Sequence, residues 1–211
     1  MQETIKNALN RRYATKSFDT NKKLDDESLA IILESLRMSP SSFGLEWWKF
    51  VIVENVAKRE ELLQYAYWQR QIVEASHLLV LCRTTGDATD LGMNLLNRTA
   101  QTRNIPMEAL DGYKGMLLWT LGGMDNDTYS NFLSRQVYIA LWFAMSTCAL
   151  MSVDSCAMEW FDKAKFDEIL WLDQMWLASC VLLPIGYRSA EDSSSKYAKV
   201  RRSTEEVVIK I

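Results

Sequence analysis

Histidine is almost absent from this sequence. Among 211 residues, the only imidazole is that of His77. Zinc sites with several histidine ligands and the H-E-x-x-H motif of metalloproteases are therefore excluded. A nucleophile–histidine triad would have to use His77, which opens an apolar stretch and is typical of a hydrogen-bonded core residue. We therefore expect neither a metal site nor hydrolysis by a triad.

The sequence also has few glycines and no excess of basic residues. The eight glycines form neither G-x-G-x-x-G nor the P-loop pattern, so a Rossmann or Walker nucleotide site is not predicted. Lysine and arginine total 24 against 27 aspartates and glutamates, which gives a net charge of −3. Proteins that bind nucleic acid usually carry a basic excess, so we expect no nucleic-acid partner.

Paired cysteines and long apolar runs are missing as well. Four cysteines lie far apart in or beside apolar stretches, without a C-x-x-C motif, which is typical of reduced, buried thiols and predicts a cytoplasmic protein. The first residues lack the basic and apolar regions of a signal peptide. Residues 136–151 are almost entirely apolar, but the run falls short of the ~20 residues that span a bilayer. It therefore predicts a buried core helix and no membrane partner.

Helical and strand patterns alternate irregularly along the chain. Apolar spacing predicts helices over residues 3–11, 26–38, 56–74, 136–151 and 161–170, and strands over 49–53, 77–82, 179–186 and 205–211. The strand 77–82 is expected to be central, Pro184 to mark a strand end or an edge, and the terminal strand to need a partner edge. Residues 85–128 mix helical stretches with breaks. Without repeat or linker, residues 1–211 are predicted to form one α+β domain.

Basic residues gather at the two ends of the chain. They are Arg11, Arg12 and Lys16 near the start, and Lys196, Lys199, Arg201 and Arg202 near the finish. If the fold brings them together, they form a site for a phosphate, which arginine binds with two parallel hydrogen bonds. The alternative is a set of solvated surface charges. Glu159, just before a predicted helix, is either a helix cap or an acid–base group.

Six segments, taken together, resemble motifs of the FMN-dependent nitroreductase family. Residues 9–19 resemble R-x-S-x-K-x-F-D, 38–50 S-P-S-S-x-N-x-Q-P-W-x-F, 69–77 Q-x-Q-x-x-x-A-S-H, 149–162 A-L-G-L-x-x-x-P-I-E-G-F-D, 183–187 V-P-V-G, and 199–201 K-x-R. Each motif is weak alone, but all six occur in family order over nearly the whole chain. The similarity is to the branch of oxygen-insensitive NAD(P)H nitroreductases and dihydropteridine reductases.

The resemblance implies a fold, a cofactor and an assembly. The fold is a mixed central sheet wrapped by helices, in an intertwined homodimer that exchanges its C-terminal segments and holds FMN at the interface. The resemblance implies cofactor contacts for Arg12, Tyr13, Ala14, Lys16, Pro40, Ser41, Ser42, Trp68, Gln71, Met158, Glu159, Trp160, Lys199 and Arg201. The four cations among them would hold the FMN phosphate and the polar edge of the flavin. The segment 40–42 would come from the other subunit, and a backbone N–H near Glu159 would face flavin N5.

The implied activity is reduction of nitroaromatics, quinones or similar flat electrophiles by NADH or NADPH, in two successive hydride transfers. Alternatives are other flavin chemistry, such as reductive dehalogenation or flavin breakdown, and a flavin-binding or storage protein without catalysis. Three departures from the motifs place Ala14, Trp68 and Trp160 where relatives carry serine, asparagine and glycine. We therefore expect a tight, apolar cleft in which Phe43 and Trp119 contact the acceptor; the alternative is that both rings belong to the core.

Overall fold

The computed structural model describes the whole chain, residues 1–211. The helices are α1 Gln2–Arg11, α2 Asp26–Arg37, α3 Val56–Leu63, α4 Gln71–Glu74, α5 Ala88–Arg103, α6 Asp111–Gly122, α7 Asn126–Leu150, α8 Lys163–Ile169 and α9 Thr204–Val207. The strands are β1 Trp48–Val53, β2 His77–Thr84, β3 Asp154–Ser155 and β4 Leu177–Gly186. The α+β class is confirmed.

The four strands form one sheet in the order β1-β2-β4-β3, and all neighbouring strands are antiparallel. The one parallel pairing is an isolated bridge between Ala14 and Ser155, outside the strand ladders. The strand β2 is central, as its continuous apolar run predicted. Pro184 lies near the end of β4, which is itself an interior strand, so the expected end is confirmed and the edge is not.

Helix starts follow the local sequence closely. Asp25 caps α2, because its Oδ1 accepts a hydrogen bond of 2.6 Å from the backbone N–H of Ser28, and Asp125 caps α7 through Thr128 in the same way. Such caps satisfy N–H groups that have no partner inside the helix. The predicted helix over 56–74 is interrupted, because Tyr67 and Trp68 adopt left-handed backbone conformations between α3 and α4.

The sheet separates two apolar clusters. On one face, Leu79 and Leu81 of β2 pack with the inward sides of α2 and α7; on the other, Leu78 and Val80 pack with α3 and α8. This division follows from the alternation of side chains along a strand. The helices therefore cover the sheet on both sides.

The composition of α7 predicted that the helix is buried on all sides, and this prediction is wrong for the single chain. Val137 and Ala144 are fully buried, whereas Trp142 remains 53 % exposed and Phe143 is also exposed. The reason is that α7 lies on one face of the sheet and no element of the same chain covers its outer side. No helix of the structure, α7 included, combines the length and apolarity needed to cross a membrane.

The predicted terminal strand over 205–211 is also wrong. Residues Thr204–Val207 form the short helix α9, which begins with a capping box between Ser203 and Glu206. The reciprocal hydrogen bonds of a capping box favour a helical turn over an extended chain. Beyond α9, residues 208–211 are exposed and pair with no strand.

Candidate functional site

The two cation-bearing ends of the chain meet at a surface cleft. The segment that follows α1 and the segment that follows β4 line a cavity of about 360 Å³. Of the residues proposed from the sequence, the cleft brings together Arg12, Tyr13, Ala14, Lys199 and Arg201. These residues lie at opposite ends of the sequence, so only the fold makes them neighbours.

Asp192 ties these two segments together, and sequence reasoning missed it. Its Oδ2 accepts hydrogen bonds from the Tyr13 hydroxyl at 2.9 Å and from the backbone N–H groups of Lys16 and Ser17 at 2.8 and 3.2 Å. Its Oδ1 accepts one from the N–H of Ser194 at 2.9 Å. Burial by itself would raise the pKa of Asp192, but the hydrogen bonds outweigh it and lower that pKa. The signal for this role was an aspartate directly before three serines, a pattern typical of a capped turn.

A second carboxylate, Asp154, forms ion pairs with two arginines at the cleft and compensates one of their two positive charges. Arg188 binds it through Nη2 at 2.5 Å and Nε at 3.0 Å, and Arg11 lies 3.3 Å away. The guanidinium of Arg188 also stacks over the ring of Tyr13, 4.5 Å from its centre. Arg11, which the sequence grouped with the other terminal cations, is therefore already paired within the chain.

The remaining cations have no acidic partner. Arg12, Lys16, Lys199 and Arg201 take part in none of the ion pairs of the structure. The Nε of Arg12 is buried without any hydrogen-bond acceptor, although buried polar atoms are nearly always satisfied. The cleft therefore holds positive charge that an anion can neutralise.

Lys199 shows the same excess of positive charge. Its Nζ donates hydrogen bonds of 2.5 Å to the backbone carbonyls of Leu9 and Arg12. Burial, followed by the charges of Arg12 and Arg201, lowers the pKa of Lys199. A phosphate placed among these groups would remove the mutual repulsion and supply the missing acceptor.

Lys16 lies just outside this cavity. The positive charges of Lys16 and Arg12 both lower the pKa of the Cys156 thiol and so oppose the rise that burial causes there.

The cysteines and the histidine lie outside the cleft. All four cysteines are free and buried, as predicted. His77 is at the start of β2, with its Nδ1 3.0 Å from the Ser76 hydroxyl, and it does not line the cleft.

The Glu159 loop is held from two sides. Met158 exchanges both of its backbone hydrogen bonds with Leu182 of β4 at 2.9 Å, and the Tyr138 hydroxyl of α7 donates a short hydrogen bond to the Glu159 carboxylate. Gln69 donates to the carbonyl of Trp160 at 2.8 Å. The backbone N–H groups of Glu159 and Trp160 have no acceptor within the chain. The loop therefore presents two free donors from a supported backbone.

Trp68 and Gln71, on either side of Gln69, differ in exposure. Trp68 is largely exposed in its left-handed conformation, whereas Gln71 is buried at the start of α4. At the other end of α4, Glu74 accepts hydrogen bonds from the Ser17 hydroxyl and the Phe18 N–H, at 3.2 and 3.3 Å. The helix α4 is thus attached to the cation-bearing segment after α1.

The segment 40–43 and Trp119 are not brought to the cation cleft within one chain. The Ser42 N–H donates to Gln136 at 2.8 Å, and the Ser41 hydroxyl accepts from the Glu46 N–H at 2.9 Å. Phe43 lines a separate cavity that shares no residue with the cleft. Pro40 is exposed, and Trp119, which is 82 % exposed on α6, lies in a third depression.

Comparison with known proteins adds an independent line of evidence. The model of the family described as Nitroreductase family matches residues 9–187. A Staphylococcus epidermidis protein named Putative NAD(P)H nitroreductase SERP2086 is 37% identical over 216 residues, which cover 99% of this chain and 97% of the relative.

Solved structures show the same fold. The chain superposes on a Bacillus subtilis protein described as the putative nitroreductase ydfN, with a TM-score of 0.88 at 19% identity, covering 100% of both chains. It also superposes on an Exiguobacterium sibiricum protein described as a putative nitroreductase in complex with FMN. The TM-score is 0.83 at 17% identity, covering 98% of this chain and 97% of the other. Family match, sequence identity and fold agree over nearly the full length, and the chain therefore belongs to the nitroreductase family.

Proposed function

We propose that this protein is an FMN-dependent oxidoreductase that uses NADH or NADPH to reduce nitroaromatics, quinones or related flat electrophiles. The observation that carries the proposal is the cleft where Arg12, Lys199 and Arg201 converge without an acidic partner. The unsatisfied, buried Nε of Arg12 fits the phosphate of FMN. The name of the Staphylococcus epidermidis relative and the FMN in the Exiguobacterium sibiricum structure support the same assignment.

The residues of the chain have distinct roles in this proposal. Arg12, Lys16, Lys199 and Arg201 bind the phosphate and the polar edge of the flavin. The free N–H groups of Glu159 and Trp160 donate to the flavin ring, and Tyr138 keeps their loop in place through Glu159. When bound, FMN supplies the hydride chemistry, taking a hydride from the nicotinamide and passing it to the acceptor. No nucleophile from the protein is required.

The remaining cofactor contacts come from Tyr13, Ala14, Trp68, Gln71 and Met158. Tyr13 and Ala14 line the cleft with the cations. Met158 and Gln71 are buried, whereas Trp68 and Trp160 are exposed. The two indoles add flat apolar surface beside the Glu159 loop. A surface of this kind favours a planar ligand.

Anaerobic titration tests the proposed activity. The purified protein, loaded with FMN, is titrated with NADH and with NADPH while the yellow absorbance of the oxidised flavin is followed. We expect at least one nucleotide to bleach the flavin and a nitroaromatic or a quinone to restore the colour. Bound FMN that neither nucleotide reduces would contradict the reductase and favour a flavin-storage protein.

Phe43 and Trp119 are proposed to limit the size of the acceptor. Trp119 has a largely exposed indole on α6, and Phe43 lies on a segment anchored by hydrogen bonds. In the same assay, Trp119→Ala and Phe43→Ala should raise the preference for bulky over small acceptors, by roughly tenfold where a clash is relieved. Unchanged ratios in both variants would show that the acceptor is selected elsewhere.

We also propose an obligate homodimer. The exposed Trp142 and Phe143 on α7, together with the uncovered residues 207–211, leave an apolar surface that a second copy can bury. A partner would also bring Pro40, Ser41 and Ser42 to a cofactor that one chain holds at a distance from them. Sedimentation should show a species of about twice the 24.4 kDa chain mass, because obligate dimers often lack a stable monomer. A folded, FMN-loaded monomer would contradict the assembly.

Two further expectations accompany the proposal. Residues 1–211 are proposed to act as one domain, because the cofactor site needs both ends of the chain. The buried free thiols support a reducing compartment, and we propose that the protein is cytoplasmic.

A further inference from the structure

A second cavity lies between α5, α6 and the segment 43–46. Its volume is about 580 Å³, and its floor is one face of α5, which carries Leu95, Arg98, Thr99, Thr102 and Arg103. Residues three and four apart lie side by side on a helix, so these five side chains form two adjacent columns. The floor thus combines one leucine, two threonines and two arginines.

Two aromatic residues form the walls of this cavity. Phe43 contributes one wall and Tyr113 of α6 the other. The Tyr113 hydroxyl donates a short hydrogen bond to the carbonyl of Phe43, which joins the two walls. The cavity thus offers aromatic surface for a base together with hydroxyl and guanidinium groups for a phosphate.

Of the two arginines in the cavity, one has an ion-pair partner and the other has none. Arg98 pairs with Glu46 at 3.0 Å, and Glu46 is the one carboxylate in the lining. Arg103 has neither an ion pair nor a hydrogen-bond partner from the chain, and its charge opposes the rise in the pKa of Tyr113 that burial causes. The guanidinium of Arg103 is therefore unpaired, whereas the carboxylate of Glu46 already has a cationic partner in Arg98.

We propose that this cavity binds the adenosine end of the dinucleotide donor and that Arg103 contacts the 2′-phosphate that distinguishes NADPH from NADH. The inference rests on the proposed function, because it requires a nicotinamide donor. A dinucleotide is much longer than the flavin ring, so its second nucleoside lies outside the flavin cleft. Phe43 directly follows the segment 40–42, which is proposed to reach the flavin held by the other subunit, and Phe43 also lines this cavity. In the proposed dimer the cavity therefore adjoins that flavin.

The chemistry of the lining selects between the two donors. A free carboxylate recognises the ribose 2′-hydroxyl of NADH, whereas an arginine accommodates the 2′-phosphate of NADPH. Here the carboxylate of Glu46 is occupied by Arg98, and Arg103 is free. The cavity therefore favours NADPH.

Steady-state kinetics of the FMN-loaded protein test the donor preference. The wild type should have a higher kcat/KM for NADPH than for NADH with one saturating acceptor. Arg103→Ala should lower kcat/KM for NADPH by about tenfold, the size of a lost charge-assisted hydrogen bond, and leave the NADH value within about twofold. Lys165→Ala, which removes an exposed cation from α8, should change neither value. Equal effects of Arg103→Ala on both donors, or a wild-type preference for NADH, would overturn the proposal.

Calorimetry separates this site from the proposed reaction. The FMN-loaded protein is titrated with adenosine 2′,5′-bisphosphate and with ADP, neither of which reduces flavin. The wild type should bind the bisphosphate more tightly, and Arg103→Ala should abolish the difference while Arg103→Lys retains part of it. Equal binding of both ligands by the wild type overturns the cavity assignment even if the flavin is reduced. Selective binding without flavin reduction supports the cavity and overturns only the reductase.

Discussion

Replacing both Arg12 and Arg201 by alanine should give a folded but colourless protein. Both side chains line the cleft at the meeting point of the chain ends, and neither has an acidic partner. Each charge-assisted hydrogen bond to a phosphate contributes about 1.5–3 kcal/mol. Loss of two such bonds raises the dissociation constant for FMN by roughly 100-fold or more. Flavin released by denaturation, measured against protein concentration, gives the occupancy, and circular dichroism reports the fold.

A matched control removes the same amount of charge elsewhere. Lys22 and Arg37 are exposed cations that pair with Asp19 and Glu34. The double variant Lys22→Ala/Arg37→Ala should remain as yellow as the wild type, because a general change in net charge does not affect a phosphate bound by direct contacts. Full FMN occupancy in Arg12→Ala/Arg201→Ala would remove the basis for placing the cofactor in this cleft.

Asp192→Ala should cause a large loss of stability. The side chain is only 3 % exposed, and its two oxygens accept four hydrogen bonds that join the segment after α1 to the turn after β4. Hydrogen bonds to a charged group contribute about 1.5–3 kcal/mol each, and donors left unsatisfied add to the cost. We expect the free energy of unfolding, measured with urea, to fall by about 3 kcal/mol or more.

The stability that Asp192 contributes to the fold depends on pH. Hydrogen bonds hold the folded-state pKa of Asp192 below its ordinary value despite burial. Its stabilising effect is therefore fully present above the unfolded pKa of about 3.9 and is lost as the pH falls through the lower folded value. The difference in stability between the wild type and Asp192→Asn should narrow on acidification below about pH 4.

A control for Asp192→Ala is provided by an exposed aspartate. Asp111→Ala, at the exposed start of α6, should lower the free energy of unfolding by less than about 1 kcal/mol. An Asp192→Ala variant as stable as this control would show that the four hydrogen bonds do not hold the chain ends together.

The fold and the site differ in how far local sequence could predict them. The apolar run of β2 depends on residues a few positions apart, and this strand is present as predicted. The gathering of cations at the chain ends could likewise be seen in the sequence. Their convergence could only be proposed, because it depends on a fold that brings residue 12 next to residue 201.

The amino-acid sequence by itself determined the α+β class, the central position of β2, the buried thiols and the family motifs, because periodicity, composition and motifs can be read directly from the order of residues. Only the tertiary structure decided which cations remain free. Arg11 shares the carboxylate of Asp154, 143 residues away, with Arg188, whereas Arg12 next to it takes part in no ion pair. The structure also decided that α7 is covered on one side and that the last residues form a capped turn instead of a strand. Pairing of charges and coverage of apolar faces depend on groups far apart in the chain, so no local pattern specifies them.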